Sequence, residues 1–125
     1  MPMTTNSLVV HLIVALQISE NSLRKIILQC APKTCELDTI PTSLFFECLD
    51  AILTIFTIVA NHSLLSGEFP LIFKTAIVKP LLKKTSLNSE DLKNYRPISN
   101  LSFMSKVFEK VVLSQILQHI NCNKL

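Results

Sequence analysis

The sequence contains a single glycine, Gly67, among 125 residues, and this scarcity bears on the kind of fold that it can form. Complete α/β enzymes use glycine at many turns and close backbone approaches. The composition therefore favours a helix-rich piece over a full catalytic domain. Tryptophan is absent and there is one tyrosine, which disfavours the class of single-strand nucleic-acid binders that stack bases on aromatic side chains.

The sequence also lacks the cysteine and histidine spacings of a zinc site. Its four cysteines form no Cys-x-x-Cys pair, and its three histidines lie at no ligand spacing from them, so we expect free, reduced, partly buried thiols. The net charge of +3 is too small to indicate a nucleic-acid partner by itself. The second half nevertheless carries a concentration of basic residues: Lys74, Lys79, Lys83, Lys84, Lys93, Arg96, Lys106 and Lys110.

Hydrophobic residues make up 49% of the chain and the mean hydropathy is +0.43, which indicates one folded domain and excludes a disordered tail. The apolar run at residues 8–16 is too short to span a bilayer as a helix. No lysine or arginine precedes it and His11 interrupts it, which disfavours a secretory signal. We expect a buried strand or helix there, or sequence unrelated to the rest, and leave residues 1–17 as an unassigned apolar N-terminus.

Apolar periodicity predicts helices at residues 18–28, 42–61 and 102–121, and strands at 73–82 and 95–99. Polar loops are expected at residues 61–70 and 85–94, with Gly67 ending a helix or turn and residues 89–91 starting one helical turn. The fold class that follows is α+β and helix-rich, with two long amphipathic helices and a short antiparallel β-hairpin.

The predicted helix at residues 42–61 carries Glu47 and Asp50 and a polar residue at every third or fourth position. This pattern favours a core helix of a soluble fold over a membrane span. We expect the two long helices to pack through Leu49, Ile52, Phe56, Phe108, Val111 and Leu117.

The most informative motif is Asn-Tyr-Arg-Pro-Ile-Ser at residues 94–99, which follows a strand, two lysines and a polar loop and precedes a helix. This order resembles the fingers region of a non-LTR (LINE-type) retrotransposon reverse transcriptase. The resemblance extends to Ser-Lys-Val-Phe-Glu-Lys at 105–110, Ser-Gly-Glu-Phe-Pro at 66–70 and Asp-Thr-Ile-Pro-Thr at 38–42. It implies a fingers fragment: a helical region at 18–70, then the fingers hairpin and following helix at 71–125, truncated before the palm.

Spacing alone allows two interpretations of Lys83, Lys84 and Arg96. They fit a polyphosphate site, or they are loop solubilisers with Arg96 bonded to a carbonyl, Glu90 or Asp91. The resemblance implies the first, because the fingers hairpin of reverse transcriptases supplies a lysine and an arginine to the triphosphate of the incoming nucleotide. Which lysine has that role stays open.

The resemblance also implies contacts between the template strand and Tyr95, Ser99, Lys106 and Lys110. For the two lysines the alternative is an ordinary solvated helix face. We expect Asp38 to cap a turn or the next helix and to have no catalytic role.

A polymerase holds two metal ions in a cluster of carboxylates. The aspartates here are Asp38, Asp50 and Asp91, and none lies in an Asp-Asp pair. The isolated chain is therefore expected to bind no cofactor and to be inactive, with Mg²⁺ implied only for the parent enzyme.

The partners implied are an RNA template, a deoxynucleotide and the missing palm. No membrane is implied, and exposed apolar surface is expected to cause self-association. The location would be intracellular, in the nucleus or the cytoplasm. The alternatives are a non-catalytic helical protein-interaction module and a weak RNA-binding module.

Overall fold

The computed structural model describes residues 17–124, so the apolar run at residues 8–16 lies outside the described part. The helices are α1 (Glu20–Gln29), α2 (Thr42–Glu47), α3 (Leu49–Ser66) and α4 (Phe103–Asn123); the strands are β1 (Ala76–Leu82) and β2 (Tyr95–Leu101). Short 3-10 helices at Leu71–Lys74 and Leu92–Asn94 precede the two strands. The strands pair antiparallel, so the predicted helix-rich α+β class with a β-hairpin is confirmed.

Local sequence signals set several helix ends. Ser19 caps α1 by accepting a hydrogen bond from the Ser22 N–H at 3.2 Å, and Ser102 caps α4 through the Ser105 N–H at 3.3 Å. Helix α3 ends at Gly67, whose φ of 70° lies in the left-handed region that glycine enters without a steric cost.

The predicted single helix at residues 42–61 is wrong in two respects. It is broken at Cys48, whose N–H closes α2 on the Leu44 carbonyl while its own carbonyl accepts the Ala51 N–H to begin α3. It also continues through residues 61–66, which were expected to be loop. The polar residues of this segment do not end the helix. The Asn61 side chain forms hydrogen bonds with the segment before α1 and not with its own backbone. Its Oδ1 accepts from the Ile18 N–H at 2.8 Å, and its Nδ2 donates to the Ile18 carbonyl at 2.9 Å.

The β-hairpin also differs from the prediction at its ends. Phe73 is not in a strand but in the 3-10 helix Leu71–Lys74, because its ring packs against Phe108 at a centroid distance of 5.1 Å. Strand β2 continues two residues further than expected, to Leu101. The helical turn expected at residues 89–91 lies later, at Leu92–Asn94, where Asp91 caps it through the Lys93 N–H at 3.0 Å.

The core forms where α1 packs against both α3 and α4. It consists of Ile18, Leu23, Ile27, Cys30, Phe45, Leu49, Leu53, Ala60, Phe103, Val107, Phe108 and Val111. All seven phenylalanines belong to two aromatic groups, with centroid distances of 5.1–6.1 Å. Aromatic pairs at this separation add to the stabilisation from apolar burial.

Large apolar side chains also remain on the surface. On α3, Ile55 and Ile58 are 62% and 64% exposed. Among residues 17–124, α3 is the one helix long and apolar enough to cross a membrane, with a mean hydropathy of 1.4 over 18 residues. On α4 the buried part ends at Val111, so the prediction that Leu117 packs in the core is wrong: it is 48% exposed.

Replacing Phe108 with alanine should cost about 3–5 kcal/mol of unfolding free energy, because its buried ring contacts Phe69 and Phe73. Ile55→Ala is the matched control on the exposed face of α3 and should cost below about 0.5 kcal/mol. Urea unfolding followed by circular dichroism measures both. Equal losses for the two variants would contradict this core.

Candidate functional site

The hairpin register determines which candidate residues lie together. It runs from Ala76 opposite Leu101 to Leu82 opposite Tyr95, and it sets Arg96 opposite Leu81. Side chains alternate between the faces of a strand, and directly paired residues share a face. Arg96 therefore lies on the same hairpin face as Leu81 and Lys79.

Lys83 continues this register beyond the last strand pair. Its N–H donates to the Asn94 carbonyl at 2.8 Å, which brings Lys83 to the hairpin end that holds Arg96 and, by alternation, to the same face. The Lys83 ammonium donates to the Lys93 carbonyl at 2.7 Å. Two of its three N–H donors remain for another ligand.

Arg96 and Lys84 are both exposed. Within residues 17–124, the two salt bridges join other residues, and no carboxylate lies within 4.0 Å of the Arg96 guanidinium. Asp91, one of its expected alternative partners, instead accepts the Lys93 N–H. The planar Arg96 fork is thus open to a bidentate oxyanion.

The predicted template residues Tyr95 and Ser99 lie on the other face of the hairpin, since they alternate with Arg96. Tyr95 is half-buried and its hydroxyl donates to the Ser89 carbonyl at 2.9 Å. This bond ties the 85–94 loop to β2, which is a structural role that the sequence did not reveal. Ser99 is exposed opposite Val78.

The other two predicted template residues, Lys106 and Lys110, lie on the first turns of α4 at the opposite end of the hairpin. They contribute to a surface that we name the lysine cleft, formed by Lys33, Lys79, Lys106 and Lys110. It consists of two adjoining cavities of about 230 and 340 Å³ that share Lys33 and Lys106. The structure therefore places the candidates in two groups: Lys83, Lys84 and Arg96 at the hairpin end, and Lys106 and Lys110 in the lysine cleft, which extends from the middle of β1 to the start of α4.

Three members of this region were not among the sequence candidates: Lys33, Glu36 and Lys79. Lys79 forms a salt bridge with Glu36, 43 residues earlier in the chain. Such a distance in sequence explains why no local motif revealed the pair. One signal was available, because Lys79 is a charged residue inside an otherwise apolar strand.

Asp38 joins the same region to α4. Its Oδ2 accepts the Cys35 N–H at 2.6 Å, and its Oδ1 accepts the Phe103 N–H at 2.8 Å. Asp38 thus closes a turn, as expected. It also accepts a hydrogen bond from the first residue of α4, whereas the next helix in sequence is α2. Among residues 17–124 there is no group of three His, Cys, Asp or Glu side chains that could hold a metal ion.

Compared with protein-family models, with curated proteins and with solved structures, the chain matches none.

The pKa of Lys79 is raised above its ordinary value of 10.5, because its ammonium donates a hydrogen bond to Glu36 and is attracted by that carboxylate. We expect Glu36→Gln to lower this pKa toward the ordinary value, and Glu47→Gln, a change at an exposed carboxylate on α2, to leave it unchanged. Carbon-13 NMR of the lysine side chains measures both.

The raised pKa of Lys79 determines how the contribution of the Lys79–Glu36 pair to stability changes with pH. The stability that the Lys79–Glu36 pair contributes is fully present below pH 10.5 and is lost as the pH rises through the raised pKa. The difference in unfolding free energy between the wild type and Glu36→Gln should therefore disappear in that alkaline range. A difference that persists there would contradict the ion pair as its cause.

Proposed function

We propose that this chain acts as the fingers part of a LINE-type reverse transcriptase and binds the triphosphate of an incoming nucleotide through Arg96 with Lys83 or Lys84. The observation that carries the proposal is the hairpin end, where Lys83 and Arg96 share one face and the guanidinium has no carboxylate partner within residues 17–124. A planar fork beside compact ammonium groups suits a polyphosphate.

Lys83 and Lys84 differ in the hydrogen bonds that their side chains make within the hairpin. Lys83 is held by the Lys93 carbonyl, which orders its side chain before a ligand arrives. Lys84 is exposed and has no side-chain hydrogen bond within residues 17–124. Ordering before binding lowers the entropic cost of association, which favours Lys83 as the phosphate contact.

Metal-dependent chemistry would require residues beyond this set. Mg²⁺ prefers oxygen ligands from carboxylates and substrate phosphates. Residues 17–124 offer no cluster that fits such an ion, so in the proposed enzyme the palm would have to hold it. The chain contributes binding and orientation of the nucleotide.

Arg96→Lys should weaken triphosphate binding about tenfold, because it removes one of two charge-assisted hydrogen bonds worth about 1.5 kcal/mol. The matched control is Arg24→Lys, since Arg24 is the other arginine of the chain and is paired with Asp50 at 2.5 Å. Nitrogen-15 NMR titration with sodium tripolyphosphate and then with a deoxynucleoside triphosphate should shift the amides around residues 83–84 and 94–97. Equal effects of the two variants, or no local shift, would overturn the site.

The 125-residue chain alone should show no template-dependent DNA synthesis, because a two-metal carboxylate cluster is lacking. A primer-extension assay with Mg²⁺, an RNA template and deoxynucleotides tests this, with an intact reverse transcriptase as the positive control. Incorporation by the purified chain would contradict the proposal of a fingers part without its own catalytic centre.

A second candidate function is a helical protein-interaction module. The observation that favours it is the exposed apolar surface of α3 and of the second half of α4, which includes Ile55, Ile58, Leu113, Ile116 and Leu117. Exposed apolar patches of this kind mark interaction surfaces or self-association. This candidate gives the opposite result in the titration, with no selective shift at the hairpin end.

A further inference from the structure

The β-hairpin has two edges without a partner strand. Strands β1 and β2 form a two-stranded sheet, and no third strand pairs with either of them among residues 17–124. An unpaired edge presents N–H and C=O groups to which a strand of another chain can bond. The hairpin also exposes the apolar side chains of Val78, Leu81 and Ile98. Open edges together with exposed apolar side chains favour pairing between copies of a chain.

The register determines which backbone groups point towards these edges. The Lys83 N–H donates to the Asn94 carbonyl at 2.8 Å, and the two residues are directly opposite when the register is continued by one pair. Hydrogen-bonded and non-hydrogen-bonded pairs alternate along antiparallel strands. Every second residue of β1 before Lys83 therefore bonds to β2. The residues between them, in pairs such as Val78 with Ser99, direct their N–H and C=O groups outwards.

Two prolines occupy this outward-directed set. Pro80 and Pro97 lie directly opposite each other, inside their strands and two residues from Val78 and Ser99. Proline has no backbone N–H, and both prolines are exposed. Proline in a sheet is confined to positions of this kind, where no ladder hydrogen bond is lost. Because the two prolines form one pair, both edges of the hairpin lack a donor at the same level of the sheet.

We propose that Pro80 and Pro97 prevent a second copy of this chain from adding its hairpin to this one, and that each proline blocks one edge. A partner strand finds no donor for its carbonyl at the proline, and the pyrrolidine ring lies where that strand would approach. With both edges blocked, the sheet stays at two strands. The inference uses neither Arg96 nor the lysines, so it stands or fails independently of the proposed nucleotide site.

Opening one edge and opening both edges should give different assemblies. Pro80→Thr or Pro97→Thr leaves each copy with one open edge, so two copies pair through it and the assembly closes as a dimer. The double variant Pro80→Thr/Pro97→Thr leaves two open edges and can extend without limit. We expect each single variant to dimerise at least about tenfold more tightly than the wild type, because each copy gains a backbone hydrogen bond. The double variant should form large assemblies that bind thioflavin T.

Sedimentation velocity of the 125-residue chain at several concentrations measures these assemblies. The matched control is Pro32→Thr/Pro70→Thr, which replaces two prolines outside the strands and should sediment as the wild type does. The threonine variants should keep the hairpin, because the N–H that they add points away from the partner strand.

Hydrogen exchange followed by NMR distinguishes pairing at an edge from association through the apolar helix surfaces. In Pro80→Thr the Val78 N–H should become protected as the concentration rises, while the Ser99 N–H on the other edge continues to exchange fast. Association through α3 and α4 would leave both fast. The Lys79 N–H belongs to the ladder and reports that the hairpin is folded. Alanine replaces threonine in any variant that loses this protection.

Four results would overturn the inference. The double variant could sediment as the wild type does, the control could associate as strongly as the double variant, or a single variant could form assemblies as large as those of the double variant. The fourth is concentration-dependent protection of the Val78 or Ser99 N–H in the wild type, which would show that an edge is already open. Dimers from both single variants, with protection confined to the opened edge, would support it.

Discussion

The carboxylate of Asp38 is the contact on which the positions of both the upstream loop and α4 depend. One oxygen holds the Cys35 N–H and the other holds the Phe103 N–H, 65 residues further along the chain. Hydrogen bonds to a charged acceptor are worth about 1.5–3 kcal/mol each, and this pair also satisfies a donor at the start of α4. The loop that carries Lys33 and Glu36 is thereby fixed beside the helix that carries Lys106.

A second long-range contact holds the segment before α1 against α3. The Asn61 amide pairs with both backbone groups of Ile18, as a neighbouring strand would, and brings the chain before α1 onto α3. Ile18 is 5% exposed at that point, so polar pairing and apolar burial act on the same residue. The Ser105 hydroxyl makes an equivalent link by donating to the Phe73 carbonyl at 2.8 Å. This last link joins the segment of Phe73 to the helix that carries Phe103 and Phe108.

The sequence allowed a correct prediction of the helix-rich α+β class and of the antiparallel hairpin, because the signals for their main elements are local. Apolar alternation and Gly67 as the end of a helix or turn need only a few neighbours to be interpreted. The errors lie where distant contacts overrule such signals. Asn61 resembled the start of a loop because its partner, Ile18, is 43 residues away. Leu117 resembled a core residue because its helical spacing says nothing about whether another element covers it.

The candidate site likewise has one group of residues that could be chosen from the sequence and one group that could not. Arg96 and the two lysines could be chosen from the sequence because the order of elements resembles the fingers hairpin, and the register brings Lys83 to the end and face that hold Arg96. The lysine cleft could not, because Lys33, Lys79 and Lys106 come from a loop, a strand and a helix that meet only in the folded chain. Both charged surfaces nevertheless depend on one hairpin: its free end carries Arg96, and the middle of β1 carries Lys79 on the same face. Since β1 and β2 are paired along all seven residues, the separation between the two surfaces is fixed by the sheet and not by a loop. Lys79 and Leu81, the partner of Arg96, are two residues apart in β1, so the two charged surfaces are neighbours on one face of the hairpin.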